Sequence, residues 1–167
     1  IFNSPTLALK ITLFISASIG IFGAMKFASR WGRLASLMAG IAFAFSPYLA
    51  SNLYVRGAYA EFLSLCLIPW VLIATESLQS KKRIILSSIA LALFVLSHNL
   101  IPLLALPFIF IWMLSHNLHA KKHLLLVIIF SLGLTAWFIV PVLFERGFTH
   151  TDQIAKTTNY ALHFVEP

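Results

Sequence analysis

Tyr54, Arg56, Gly57 and Glu61 sit close together between two apolar runs, and they combine a cation, an anion, a phenol and a flexible hinge. An arginine fork presents several donors in one plane, a geometry suited to phosphate or pyrophosphate. Gly57 permits a sharp backbone bend, and in an extended segment Tyr54 and Arg56 would point the same way. Glu61 falls in the first turn of the following helix, where the helix dipole favours its charge. The alternative is that Arg56 and Glu61 pair with each other and only fix the loop. Ser97-His98-Asn99 forms a second polar group inside a long apolar stretch. His98 could serve as a base, a metal ligand or a hydrogen-bond partner for a headgroup. Equally, these side chains, Asn99 above all, could satisfy backbone groups freed by a helix break. Trp137, Pro141 and Glu145 recur every fourth residue as the last apolar run ends. They read as an interfacial anchor, a kink, and a carboxylate that either pairs with Arg146 in solvent or joins the other polar residues.

The remaining candidates carry less. His116, His119 and His123 could share a helical face, but Lys121 and Lys122 beside them oppose a bound cation, so a solvated loop is expected. No Ser-His-Asp triad, glycine-rich phosphate loop or CxxC pair is present,. Cys66, the single cysteine, lies in an apolar run and reads as a buried structural thiol,.

The elements that must position these residues are membrane spans. The chain of 167 residues is 60% hydrophobic and only 10% charged, with a mean hydropathy of +0.92. Soluble domains carry about 25% charged residues. The formal charge of +7 is spread over short loops between apolar runs, which argues against a nucleic-acid partner,. Runs from about Pro5 to Met25, Leu34 to Ala50, Tyr59 to Leu78 and His123 to Leu143 each suit a span of about 20 residues. One unbroken helix over Ile84–Leu114 would be about 45 Å long, against a hydrocarbon core of about 30 Å. A break at Ser97-His98-Asn99, with Pro102 just beyond, therefore divides it into Ile84–Leu96 and Leu100–Leu114. Ser16, Gly20 and Ala24, and likewise Ser36, Gly40 and Ala44, give the first two spans small-residue faces fit for close pairing.

The expected fold is thus an all-α transmembrane bundle of about six helices, one domain over residues 1–167. Lys26, Arg30 and Arg33 fill one gap between spans, Lys81, Lys82 and Arg83 another, and Lys121 and Lys122 a third. These are alternate gaps, so the positive-inside rule puts them in the cytoplasm. Tyr54, Arg56, Glu61, His98, Asn99 and Glu145 then share the outer side, with both ends of the chain extracytoplasmic in a multi-pass cell-membrane protein. The chain opens on Ile1 and closes on Glu166-Pro167, which reads as a segment of a longer protein.

Tyr54-x-Arg56-Gly57-x-x-x-Glu61, Pro69, Ser97-His98-Asn99, Trp137-x-x-x-Pro141-x-x-x-Glu145 and His163-Phe164-Val165, in that order, resemble the bacterial membrane proteins called "6-pyruvoyl-tetrahydropterin synthase-related". Those proteins are in turn similar to glycosyltransferases of the GT-C architecture. The resemblance implies a multi-span enzyme that uses a polyprenyl-phosphate sugar donor at the outer membrane face in building the cell envelope. Arg56 would then bind donor phosphate, with Glu61 and His98 supporting the site. The GT-C pattern places a catalytic carboxylate, often a metal ligand, in the first outer loop. This chain has no such loop, so the resemblance implies a motif upstream of Ile1 and an inactive segment. No cofactor is expected within these residues, and a divalent metal only in the longer protein. A non-catalytic transporter or lipid-binding subunit of envelope assembly is the other reading. Membrane lipid is the expected partner in both.

Overall fold

The computed structural model describes residues 4–145, and every regular element among them is helical. The helices are α1 (Pro5–Ala28), α2 (Arg33–Ala44), the single turn α3 (Pro47–Ala50), α4 (Tyr59–Thr75), α5 (Lys81–Ser97), α6 (Leu100–His116) and α7 (Lys121–Phe144). This is the all-α helical membrane bundle that the apolar runs predict. The chain divides by its contacts into two units, Ile1–Leu134 and Thr135–Pro167, and the boundary falls inside α7.

In the first unit α4 is the central helix and packs against α1, α5 and α6. One core joins Val71 and Leu78 to Ile84, Leu91 and Phe94 of α5 and to Ile109 and Met113 of α6. A smaller core joins Leu49, Phe62 and Cys66, with Leu13 and Phe43 packed against it. Large apolar side chains also cover the outside, among them Phe14, Leu34, Phe108 and Ile111. In water such a surface would be an interaction or aggregation site, whereas in hydrocarbon it has no cost.

Small residues set the helix spacing, as the sequence predicts. A Cβ on Gly40 would lie 2.6 Å from Met25 Cγ of α1, and one on Gly20 would lie 2.5 Å from Phe43 Cε1 of α2. Ser36 Oγ donates to the Met25 carbonyl at 2.9 Å, a direct α1–α2 bond. The same glycine face also serves α4. A Cβ on Gly20 would lie 3.0 Å from Cys66 Sγ, and one on Gly23 would lie 3.1 Å from Pro69 Cβ.

The break falls at the polar tripeptide. α5 ends at Ser97, His98 is extended at φ −160° and ψ 155°, and α6 starts at Leu100. Each flanking helix has 17 residues, about 26 Å at 1.5 Å per residue. The second span differs from expectation. α2 stops at Ala44, Pro47 starts α3, and a π-helical turn (Ser51–Val55) continues it, closed by Arg56 N–H donating to the Ser51 carbonyl at 2.8 Å. The expected extended loop after Ala50 is thus helical as far as Val55, because glycine first appears at Gly57, where φ is +62°.

Three interhelical turns meet at one end of this unit. Arg30 pairs with Glu76, and the buried Asn117 accepts from Leu78 N–H at 2.9 Å and donates to the Thr75 carbonyl at 3.0 Å. The turns that carry the basic clusters therefore lie side by side.

Candidate functional site

Tyr48, Asn52 and Arg56 are spaced four apart, and the helical path from Pro47 to Val55 turns them toward one side,. Opposite them, the first turn of α4 supplies Glu61, whose side chain is 6% exposed. Glu61 Oε1 accepts from Arg56 Nη1 at 3.1 Å, from Asn52 Nδ2 at 3.2 Å and from the Tyr48 hydroxyl. Arg56 Nη1 also donates to Asn52 Oδ1 at 2.7 Å and approaches the Tyr48 oxygen at 3.4 Å. The contact with Tyr48 and then that with Glu61 raise the Arg56 pKa above its already high value. The guanidinium is therefore permanently cationic.

The pairing of Arg56 with Glu61 that the sequence offered is present. Arg56 makes it through Nη1 alone, and its side chain remains 49% exposed. Among the described residues, its hydrogen bonds all run through Nη1. Glu61 holds the arginine through Oε1, which takes three donors. Tyr48 and Asn52 escaped the sequence reading, although their four-residue spacing with Arg56 was visible in a helical frame. That frame also corrects Tyr54. Residues two apart do not share a helical face, so Tyr54 does not point with Arg56. It is 82% exposed and lines two adjoining apolar hollows beside α1.

His98 has a structural task. Its Nδ1 accepts from Leu100 and Ile101 N–H, each at 3.2 Å, and so caps the start of α6. Asn99 was the expected satisfier of freed backbone groups, but it makes no side-chain cap and stands exposed. An extended residue just before a helix start can fold its side chain back onto the first free N–H groups. His98 is that residue, while Asn99 is already in helical conformation. Neither shares a hydrogen bond with the Arg56 group. In the second unit, Glu145 is exposed where α7 ends, and its N–H donates to the Pro141 carbonyl at 2.7 Å. The expected pairing with Arg146 and the His163-Phe164-Val165 element lie outside the described residues.

At the basic end, Arg30 lies 4.3 Å from the Phe27 ring centroid and 5.8 Å from that of Trp112. Lys26 sits 5.4 Å from the Trp70 ring, and His116 stacks on Trp112 at 3.7 Å. Among the described residues no group of three His, Cys, Asp or Glu side chains is placed to hold a metal ion.

Compared with known proteins, residues 1–165 match the family described as "6-pyruvoyl-tetrahydropterin synthase related domain; membrane protein". No curated protein and no solved structure matches the chain.

Proposed function

Because this chain belongs to the 6-pyruvoyl-tetrahydropterin synthase related family of membrane proteins, we propose that it works on a membrane lipid, as a glycosyltransferase-like protein that binds a polyprenyl-phosphate sugar donor at the outer membrane face. The observation that carries this reading is the half-exposed Arg56, held in place by Glu61 and Asn52 through Nη1. Such an arrangement binds an anion without first having to order a flexible side chain. Positive charge at that point would stabilise the phosphate leaving group as a sugar is transferred. Deprotonating the acceptor hydroxyl needs a base, while Glu61 Oε1 is engaged in holding Arg56, Asn52 and Tyr48.

The commitment of Glu61 Oε1 to Arg56 also favours a second reading, a non-catalytic lipid-binding subunit of envelope assembly. One experiment separates the two. Purified full-length protein is given radiolabelled polyprenyl-phosphate sugars and a panel of envelope acceptors, alongside a direct measurement of polyprenyl-phosphate binding. The enzyme reading expects transfer that falls at least tenfold in Arg56→Ala and by less in Arg56→Lys, which keeps the charge and loses the fork. Binding that depends on Arg56 without turnover supports the second reading. Undiminished transfer by Arg56→Ala removes the proposed role of the arginine.

A further inference from the structure

α5 opens on Lys81-Lys82 and α7 on Lys121-Lys122. Asn117, which closes α6, bonds Leu78 N–H and the Thr75 carbonyl, so α7 starts at the same basic end as α5. Leu124 and Val127 of α7 share a core with Ile84 and Leu91 of α5, and the two helices run the same way. Ser88 Oγ donates to the Val127 carbonyl at 3.5 Å. Ser88 lies seven residues past Lys81, and Val127 six past Lys121. The lysine pairs therefore stand at nearly one height, about 10 Å from that contact. All four lysines are exposed, and none forms an ion pair among the described residues. Glu76, the acidic residue of the neighbouring turn, is held by Arg30.

Two hollows adjoin these lysines. One, of about 350 Å³, wraps the first turn of α7, where His119, Lys121, Lys122 and His123 line it. His123 Nδ1 is buried and has no hydrogen-bond partner among the described residues. Buried polar atoms are rarely left unpaired, so this nitrogen offers a place for a ligand or water. The other hollow, of about 530 Å³, lies between α5 and α7 and is lined by Ile85, Ile89, Ile129, Phe130 and Gly133 among others. A Cβ on Gly133 would meet nothing within 4 Å. Lys81 precedes Ile85 by four residues and Lys122 precedes Ile129 by seven. Each lysine thus shares a helical face with the apolar wall that follows it. Lysines that only set topology need no cavity beside them.

We infer that the paired starts of α5 and α7 bind an anionic phospholipid, with its headgroup among the four lysines and its hydrocarbon in the hollow between the helices. Charge complementarity selects the class. Four ammonium groups without a carboxylate favour a headgroup of net negative charge, whereas a zwitterionic headgroup brings a further cation to the same place. Two helix N-termini meet there, and their dipoles act in the same sense. The inference is independent of the sugar-transfer reading, since no residue of the Arg56 cluster takes part. It holds for whichever leaflet the basic end meets.

The test uses full-length protein in phosphatidylcholine nanodiscs that carry a phosphatidylglycerol with a photoreactive acyl chain, and cross-linked peptides are mapped by mass spectrometry. Labelling is expected at residues 85–89 and 129–134, and excess unlabelled phosphatidylglycerol should compete it away while phosphatidylethanolamine does not. Lys81→Gln combined with Lys122→Gln should lower the yield by about fivefold or more, and the corresponding pair of Arg substitutions should retain it. Lys26→Gln combined with Arg33→Gln removes the same charge from another turn at this end and should leave the yield unchanged. Gly133→Leu, which fills the apolar hollow and keeps every cation, should lower it. Equal losses in the two Gln pairs would reveal a diffuse field in place of a site and overturn the inference. Equal labelling of the same residues by a photoreactive phosphatidylcholine would overturn it as well.

Discussion

A carboxylate removed from solvent is costly unless donors meet its charge, and three donors converge on Glu61 Oε1. Asn52 is the pivot, because it is fully buried and touches both charges. Asn52→Ala should therefore destabilise the protein by about 1–3 kcal/mol, read as a lower thermal midpoint in detergent. Tyr54→Ala, at an exposed neighbour, should stay within about 0.5 kcal/mol. Equal midpoints for the two variants would show that the cluster is not cooperative. Asn117 gives a parallel case at the opposite end. It bonds Leu78, Thr75 and Met113 and closes the end of α4, so Asn117→Ala should likewise cost about 1–3 kcal/mol. An unchanged midpoint would contradict that role. The charged half of the site, Arg56 and Glu61, was legible because charge is rare in this chain. Its neutral half was not, since Tyr48 and Asn52 look ordinary until the backbone between them is known to be helical.

Among the elements, lengths and breaks were the most readable features. The stretch from Ile84 to Leu114 was too long for one span, and it divides at the polar tripeptide. Less readable was the agent that stabilises the division, because a histidine can accept from backbone N–H groups as asparagine does. His98→Ala should speed amide exchange at Leu100 and Ile101 and cost about 1 kcal/mol, the usual worth of a helix cap. Unchanged exchange at those two amides would show that the break stands without the imidazole. The small-residue face of α1 was visible from its four-residue spacing, but its second partner was not. Gly20 touches both Phe43 and Cys66, and nothing in the spacing of α1 names α4. Gly20→Val should cost about 1–3 kcal/mol by overpacking, measured against Gly133→Val, where a Cβ meets nothing. Equal losses at the two sites would contradict close packing at Gly20.

At the scale of the whole molecule, the alternation of basic gaps was the most informative property of the sequence. The fold gives it a physical form. The turns near Arg30, Glu76 and Asn117 are joined to one another at one end of the first unit. α2 and α4 both lead from that end to the Arg56 loop, which lies between them. Sequence could not supply the aromatic packing that accompanies the basic residues, with Arg30 against Phe27 and Trp112 and Lys26 over Trp70. The central claim is that the basic end faces the cytoplasm and the Arg56 end faces outward, where a lipid-linked sugar would be met. Single-cysteine labelling tests it most directly. In a Cys66→Ser background, cysteines replace Val55, which is 82% exposed beside Arg56, or Gln79, which is exposed just before the Lys81–Arg83 cluster. A membrane-impermeant maleimide is then applied to intact cells. The account predicts that Val55→Cys is modified from outside and that Gln79→Cys reacts only after the membrane is opened. Modification of Gln79→Cys from outside, with Val55→Cys protected until lysis, would contradict it.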